Sequence, residues 1–281
     1  MPYNKIKSHA KINLALNIIG KSNLLHHIES IITFVDLHDV ILIKQTKFKK
    51  HTISFSGRFS KNISINNTVS KLFKILDKKE LLNNKKFQIK INKKIPSKAG
   101  LGGGSMNAAN ILNYLIKKKM IKITNKQLIE ISNLIGSDVI LGLNPTHSIL
   151  TSKNQIKRFT NYKRFYVLIV KPNFGCSTKD IYSSVRKFII AKLNQPNKKM
   201  FDFEFIKKMN NSLEPIAFTK YPQLKKLKLF LESLSKSIFV RMTGSGSALV
   251  AYFQSKKGCD NAKKNFNKEY KKYWCIASKT I

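Results

Sequence analysis

Residues 95–109 read IPSKAGLGGGSMNAA, a proline-led stretch that runs into an alanine-rich segment. Glycine fills four of the five positions from Gly100 to Gly104, and Ser105 follows them. Glycine has no side chain to keep a ligand away from the backbone, and it reaches positive φ without strain. A helix start offers unpaired N–H groups and the positive end of the helix dipole, which together attract phosphate. The stretch therefore predicts a phosphate-binding loop.

The residues on either side predict a strand before this loop and a helix after it. Phe87, Ile89 and Ile91 alternate with polar residues, as in a half-buried strand. Residues 108–116 carry apolar side chains at helical spacing. Strand, glycine loop and helix follow one another in this order in known phosphate sites.

Periodicity also predicts the elements farther from the loop. Alternation at residues 10–18 predicts a strand in which Lys11 and Asn13 point to the same side. A second strand is expected at 28–43, with a turn at 36–39 and with residues 51–55 as its partner. Helices are expected after Asn66 and Asn67, where an Asn is a favoured cap, from Thr124 to Gly136, and over 201–234 with breaks near Pro215 and Pro222. Strands are expected at 166–170 and within 239–253.

Three other phosphate or nucleic-acid loops fit the glycines poorly. A Walker loop needs a Lys after its glycines, and none follows here. A dinucleotide fingerprint needs a third glycine, where this chain has Ser105, and an acidic residue about 20 positions further on; residues 117–126 contain no Asp or Glu. The GxxG loop of KH domains joins two helices, whereas this loop follows a predicted strand.

Composition indicates a globular protein with a large excess of positive charge. The 281 residues are 42% hydrophobic and carry a formal net charge of +39. Basic patches bind nucleic acids, but here the lysines are scattered along the whole chain instead of filling one segment. We therefore expect anionic small molecules as the main partners, and nucleic acid is not expected to be the main one.

Cysteine usage and hydropathy predict a cytoplasmic protein with no membrane span. Cys176, Cys259 and Cys275 are odd in number and have no metal-finger spacing, so free thiols in a reducing compartment are expected. No apolar run approaches the roughly 18 residues that a membrane span needs. The sequence leaves the oligomeric state open between a monomer and a weak homodimer.

The segment from Pro96 to Ala109 resembles the ATP-binding motif of the GHMP kinase superfamily, a group of small-molecule kinases. Four further segments occur in the order of one branch of that superfamily: AKINLALNI at 10–18, NSLEP at 211–215, YPQL at 221–224 and RMTGSGSA at 241–248. The resemblance implies a two-lobed α+β fold. Residues 1–150 are the expected ATP-binding lobe, with β-α-β elements like those of ribosomal protein S5, and residues 151–281 are the expected α/β lobe that completes the substrate cleft.

The same resemblance implies transfer of the ATP γ-phosphoryl group, with Mg²⁺, to a hydroxyl of a cytidylylated sugar alcohol. It makes Asp138 the catalytic base and Lys11 the cation that keeps Asp138 ionised and helps polarise the hydroxyl. No residue is assigned to the metal, since the phosphates can carry most of its coordination. The implied nucleotide-binding residues are Asn67, on the adenine side, and, in the loop, Pro96, Ser97, Lys98, Ala99, Gly100, Leu101, Gly102, Gly103, Gly104, Ser105, Met106 and Asn107.

The implied substrate-binding residues are Asn13, His26, Tyr182, Gly244, Ser245 and Gly246. This branch usually has Asp-Gly-Tyr-His where residues 23–26 read Asn-Leu-Leu-His, so the aromatic side chain that would stack on cytosine is missing. Tyr182 is expected to supply an aromatic ring on the other face of the base. Met106 and Ile140 also depart from the pattern.

Two alternative functions stay open at this point. A changed acceptor pocket would be consistent with another GHMP kinase, such as homoserine kinase. The extreme positive charge would be consistent with a non-catalytic RNA-binding protein on the same fold.

Overall fold

The computed structural model describes residues 2–23, 25–160 and 164–281. Its strands are Asn4–Ser22 (β1), Leu25–Thr46 (β2), Thr52–Ser56 (β3), Lys86–Asn92 (β4), His147–Leu150 (β5), Ile156–Phe159 (β6), Tyr166–Lys171 (β7), Phe239–Met242 (β8), Leu249–Phe253 (β9) and Trp274–Lys279 (β10). Its helices are Thr68–Lys78 (α1), Gly103–Lys117 (α2), Asn125–Ile135 (α3), Val139–Gly142 (α4), Thr178–Ser183 (α5), Phe203–Lys208 (α6), Glu214–Lys220 (α7), Pro222–Ser233 (α8) and Lys256–Glu269 (α9). The predicted α+β class is confirmed.

The chain forms two compact units that are interleaved along the sequence. The first unit comprises Met1–Ala10, Leu37–Ser97 and Gly102–Pro145, and the second comprises Lys11–Asp36, Lys98–Leu101 and Thr146–Ile281. The last passage into the second unit, at Thr146, lies close to the predicted boundary at residue 150. The predicted division into 1–150 and 151–281 does not include the two earlier passages at residues 11–36 and 98–101.

The first unit is a sheet with helices packed on it. The C-terminal part of β2 pairs antiparallel with β4, and β3 pairs parallel with β4. Their inward side chains share one core with α1, α2 and α3, in which Ile41, Phe87 and Leu112 are fully buried. Because β4 ends at Asn92 and α2 begins at Gly103, the predicted order of strand, glycine loop and helix is confirmed.

The second unit is built on a four-stranded antiparallel sheet. Its strand order is β10-β7-β9-β8. One core joins this sheet to α7, α8 and α9, with Leu168, Ala251 and Phe266 among its fully buried side chains. The N-terminal part of β2 pairs with β5 at Ser30–Ile32, and β5 pairs with β6. The predicted strands at 166–170 and within 239–253 are confirmed as β7, β8 and β9.

The predicted turn at residues 36–39 is wrong, because β2 continues through them. The aspartates at 36 and 39 suggested a turn, but Asp39 is 0% exposed and its carboxylate accepts hydrogen bonds within the protein. The predicted pairing of residues 51–55 with this strand is also wrong. Since β4 lies between β2 and β3, β3 pairs with β4 instead.

The predicted helical region 201–234 consists of α6, α7 and α8, and its breaks lie where they were expected. Pro215 and Pro222 each stand in the first turn of a helix. Proline is tolerated there because its missing N–H would have no partner within the helix. Pro222 is thus the first residue of α8, and Pro215 is the second residue of α7.

In the described ranges no helix has both the length and the apolar character that crossing a bilayer requires.

Thr124→Ala is expected to lower the free energy of unfolding by about 1 kcal/mol, because α3 begins with a capping box. Thr124 Oγ1 accepts a hydrogen bond from the backbone N–H of Gln127 at 3.2 Å, and Gln127 Oε1 accepts one from the backbone N–H of Thr124 at 2.8 Å. Urea denaturation measures the loss. Lys126→Ala, at an exposed position in the same turn, is the control, and an equal loss in both variants would contradict the role of the cap.

Candidate active site

The N-terminus of α2, in the first unit, begins after a glycine, which has no side chain to cap the backbone N–H groups of the helix. Gly102 is the N-cap residue, with φ of 68°, and it has no side chain to accept a hydrogen bond from the helix. The first N–H groups of a helix have no partner within the helix, and the helix dipole adds positive charge at this end. Gly103, Gly104 and Ser105 form this first turn, which is suited to a phosphate group.

The space around the first turn of α2 requires glycine. A Cβ atom at Gly103 would lie 2.9 Å from Ile95 Cγ2, closer than packed side chains allow. Thr68 lies on the other side, where its hydroxyl donates to the carbonyl oxygen of Gly104 at 2.7 Å. The start of α1 and the residue before Pro96 therefore fix the backbone of this turn from two directions.

Asn67, the predicted adenine-side residue, is the N-cap of α1. Its Oδ1 accepts hydrogen bonds from the backbone N–H groups of Val69 and Ser70, each at 3.0 Å. Its Nδ2 donates to the carbonyl oxygen of Ser64 at 2.9 Å. The helix cap is thus present as predicted, and the contact with adenine stays a prediction.

Met106 and Asn107 directly follow Gly103, Gly104 and Ser105 in α2, and both side chains are buried. Met106 is 0% exposed, and its backbone N–H donates to the carbonyl oxygen of Gly102. Asn107 is 1% exposed; its Nδ2 donates to Asp39 Oδ2 at 3.0 Å, and its Oδ1 has no hydrogen-bond partner among the described residues. Buried acceptors without a partner are uncommon in stable folds and mark functional positions. The assignment of both residues to the nucleotide stays a prediction.

Asp138 stands in the first unit, immediately before the short helix α4. α3 ends at Gly136, and Asp138 is the N-cap residue of α4. Its half-buried side chain makes no capping hydrogen bond to that helix. The Asp138 carboxylate therefore does not cap α4.

In the second unit, Asn13 connects Lys11 to the C-terminal glycine segment 241–248. Lys11 Nζ donates to Asn13 Oδ1 at 2.8 Å, which confirms that the two side chains share a side of β1. The same Oδ1 accepts from the backbone N–H of Gly244 at 3.1 Å and from Thr243 Oγ1 at 3.3 Å. Lys11 is 5% exposed and Asn13 4%, so this network fixes a nearly buried ammonium group.

Gly100 contacts the same network through Thr243, whose backbone carbonyl lies against it. Residues 98–101 belong to the second unit, where the carbonyl oxygens of Lys98 and Ala99 accept from the backbone N–H groups of Ser247 and Ala248, each at 3.3 Å. The first half of the predicted ATP loop is therefore paired with residues 241–248. Pro96 and Leu101 are buried, while Ser97 and Lys98 are exposed.

The remaining predicted substrate residues form three contacts in the second unit. Ser245 Oγ lies 2.9 Å from Oγ1 of Thr178, which is the first residue of α5, the helix that also contains Tyr182. The rings of His26 and Tyr182 lie 5.3 Å apart between centroids. Gly246 packs close to Cys176, whose burial raises its pKa to about 11 and keeps the thiol protonated. Leu24, one of the residues that depart from the family pattern, lies outside the described residues.

His26 has an imidazole whose pKa is lowered. Burial lowers this pKa most, and the neighbouring Lys21 and His27 lower it further. Its Nε2 is buried and has no hydrogen-bond partner among the described residues. The ring is therefore available to donate to or accept from a polar group of a ligand.

Comparison with known proteins assigns the chain to a family. The family model of the GHMP kinases N terminal domain matches residues 67–147, and the model described as GHMP kinases C terminal matches residues 197–272. A 4-diphosphocytidyl-2-C-methyl-D-erythritol kinase of Pelagibacter ubique (strain HTCC1062) is 56% identical over 277 residues, which cover 99% of each chain. The chain belongs to the GHMP kinase family. It is accordingly a small-molecule kinase with the α+β fold of that family.

Solved structures of GHMP kinases share this fold. A crystal structure of a 4-(cytidine 5'-diphospho)-2C-methyl-D-erythritol kinase superposes with a TM-score of 0.79 at 20% identity, covering 99% of each chain. A homoserine kinase of Cytophaga hutchinsonii gives a TM-score of 0.68 at 18% identity, covering 98% of this chain and 95% of the other. At these identities the two structures support the fold of this GHMP kinase, and they do not identify its acceptor substrate.

Sequence reasoning assigned no role to Asn211 in this GHMP kinase, although it stands first in the quoted NSLEP segment. Its Nδ2 donates to the carbonyl oxygens of Met242 and Gly244, both at 2.8 Å, and its side chain is 1% exposed. Glu214 of the same segment accepts from the backbone N–H of Met242. The segment therefore holds the strand and turn that carry the C-terminal glycines, and the motif itself was the only sequence signal for this role.

Proposed function

We propose that this kinase transfers the γ-phosphoryl group of ATP to the 2-hydroxyl of 4-diphosphocytidyl-2-C-methyl-D-erythritol, a step of the non-mevalonate route to isoprenoid precursors. The observation that carries the proposal is the 56% identity, over 99% of both chains, to the kinase of Pelagibacter ubique that bears this substrate in its name. We propose that it acts in the cytoplasm, as a monomer or weak homodimer.

The uncapped first turn of α2 supports a role in holding the ATP phosphates. Gly103, Gly104 and Ser105 form that turn, and a Cβ atom at Gly103 would lie only 2.9 Å from Ile95 Cγ2. Mg²⁺ would enter with ATP, would take phosphate oxygens among its ligands and would neutralise charge on the phosphates. No residue of the chain is assigned to the metal.

The His26 and Tyr182 rings support recognition of a nucleobase at the acceptor end. His26 Nε2 is a buried polar atom without a protein partner in the described residues, and Tyr182 places an aromatic ring beside it. Cytosine offers a π-face for stacking and polar edges for hydrogen bonds. We assign these two residues to the base, and Asn13, Gly244, Ser245 and Gly246 to other parts of the acceptor.

Asp138 and Lys11 carry the chemistry in this proposal. Phosphoryl transfer depends mainly on positioning, on neutralising charge and on a group that accepts or orients the proton of the attacking hydroxyl. Asp138 would accept that proton. Lys11, fixed by Asn13, would supply the positive charge.

The purified protein is expected to release ADP when ATP, Mg²⁺ and the cytidylylated substrate are all present, and to form one new phosphomonoester. A coupled ADP assay measures turnover, and phosphorus NMR identifies the product. Homoserine is the control acceptor, since a homoserine kinase shares the fold. Faster turnover of homoserine would refute the proposed acceptor. ATP-insensitive, steeply salt-dependent RNA binding without ADP release would refute the kinase proposal altogether.

A further inference from the structure

Asp39 is a buried carboxylate that contacts both flanks of the glycine stretch. It lies on β2 and is 0% exposed. Its Oδ1 accepts hydrogen bonds from the backbone N–H groups of Lys94 at 2.7 Å and Ile95 at 2.8 Å, immediately before Pro96. Its Oδ2 accepts from Asn107 Nδ2 at 3.0 Å, in the first turns of α2. One side chain thus fixes the point where the chain leaves β4 and the point where it has entered α2.

Lys93 completes this cluster as the counter-charge of Asp39. Its ammonium donates to Asp39 Oδ2, and its side chain is only 6% exposed. Nζ lies 3.3 Å from the position that a Cβ atom would take at Gly103, so the ion pair packs directly against the first turn of α2. All of these residues belong to the first unit.

The four donors require a group that accepts hydrogen bonds with both of its oxygens. An ionised carboxylate does so, whereas a carboxamide has one acceptor atom and a donating NH₂ group. An asparagine at position 39 could keep the two backbone donors, but it would turn its NH₂ group toward Lys93 and Asn107. The buried ammonium of Lys93 would then lack its counter-charge, which is strongly unfavourable in a buried site.

We propose that Asp39 is a positioning residue for ATP: through Lys94, Ile95 and Asn107 it holds the uncapped first turn of α2 in the geometry that binds the phosphates. The inference rests on the proposed function and adds a residue that the family resemblance did not supply. Asp39 does not touch the nucleotide in this proposal. It acts through the backbone that does.

Asp39→Asn is expected to raise the KM for ATP about tenfold and to change the KM for the acceptor little, because phosphate-binding geometry depends on fixed N–H groups. Lys93→Met leaves the carboxylate with three donors, so its KM for ATP is expected to rise less than in Asp39→Asn. Ile41→Ala, which removes a fully buried side chain two residues along β2, is the stability control. It is expected to lower the Tm without raising the KM for ATP.

Calorimetric titration with ATP and Mg²⁺ in the absence of acceptor gives a second readout. Asp39→Asn is expected to weaken ATP binding about tenfold. Equal ATP affinity in wild type and Asp39→Asn would overturn the inference and leave the proposed function standing. An equal loss of affinity in Ile41→Ala would reduce Asp39 to a structural role, and a larger loss in Lys93→Met than in Asp39→Asn would assign phosphate binding to Lys93 itself.

If Asp39→Asn fails to fold, the KM for ATP of Lys93→Met, compared with that of Ile41→Ala, still tests the positioning role. A KM for ATP that rises in Lys93→Met alone supports the positioning cluster, and equal values in both overturn it. Absence of ATP binding in the wild-type protein would instead refute the proposed function, and the inference would fall with it.

Discussion

Asp138→Asn is expected to lower kcat by about a thousandfold, in the range that general acid–base catalysis contributes. The carboxylate is the proposed acceptor of the hydroxyl proton, and a carboxamide of the same shape cannot take that proton at neutral pH. The fold should survive, because a carboxamide keeps the size and shape of the half-buried Asp138 carboxylate. ATP affinity should therefore stay close to that of the wild type.

Single-turnover kinetics at saturating ATP and acceptor is the appropriate measurement, since product release limits kcat in many kinases and would hide part of the loss. Asp202→Asn is a matched control. Asp202 also occupies the N-cap position of a helix, α6, without a side-chain capping hydrogen bond. It is expected to leave the chemical step unchanged. A single-turnover rate for Asp138→Asn within tenfold of the wild type would remove Asp138 from the role of base.

The elements that sequence predicted well are those whose signals are local. The capping residues Asn67 and Thr124 start α1 and α3 because their side chains satisfy N–H groups two or three residues away. Lys11 and Asn13 share a side of β1 because side chains alternate along any strand. The order of strand, glycines and helix also predicted correctly where α2 begins.

The course of β2 could not be read locally, because its explanation lies elsewhere in the chain. Asp39 is compatible with a strand interior only because Lys93, Lys94, Ile95 and Asn107 surround its carboxylate with donors. These partners stand 54 to 68 positions away. Without them, an aspartate in an apolar run indicates a turn, which is the prediction that failed. The same non-locality explains why β3 pairs with β4 and not with β2.

The candidate site could be predicted only in part, because some of its contacts join residues that lie far apart in the sequence. The resemblance named the glycines at 244 and 246, but the role of Thr243 depends on Asn13, 230 residues earlier. Asn13 donates its backbone N–H to Thr243 Oγ1 at 3.0 Å, and that hydroxyl in turn lies within hydrogen-bond distance of the carbonyl oxygen of Gly100 at 3.1 Å. Three motifs that are separate in sequence thus meet at one threonine hydroxyl of the second unit.

Gly100→Ala is expected to lower kcat/KM about a hundredfold, because it displaces groups that position the reactants. Gly100 has φ of 71°, a conformation that costs an alanine about 1–2 kcal/mol. A Cβ atom there would also lie 1.9 Å from the carbonyl oxygen of Thr243, well inside van der Waals contact. The atoms nearest to this Cβ atom belong to the backbone of Thr243 and Gly244, so they cannot rotate away as a side chain could. The segment that contains Gly100 and the segment that contains Thr243 must therefore separate.

The separation should reach Lys11 through Asn13. If Thr243 moves, Asn13 loses the hydrogen bonds to Thr243 and Gly244 that orient its Oδ1, which is the atom that holds the Lys11 ammonium. We therefore expect kcat to fall together with the affinity for ATP, unlike the change in Asp39→Asn, which is expected mainly in the KM for ATP. Steady-state kinetics with each substrate varied in turn separates these two patterns.

Gly20→Ala provides the matched control in the same unit. A Cβ atom at Gly20 would have His27 Cδ2 as its nearest neighbour at 3.7 Å, an ordinary contact, and the residue does not have a positive φ. Its kcat/KM should equal that of the wild type. Because the two variants add the same methyl group, a loss confined to Gly100→Ala would tie the activity to the contact between Gly100 and Thr243. Wild-type kinetics in Gly100→Ala would mean that the Thr243 network tolerates displacement and does not position Lys11.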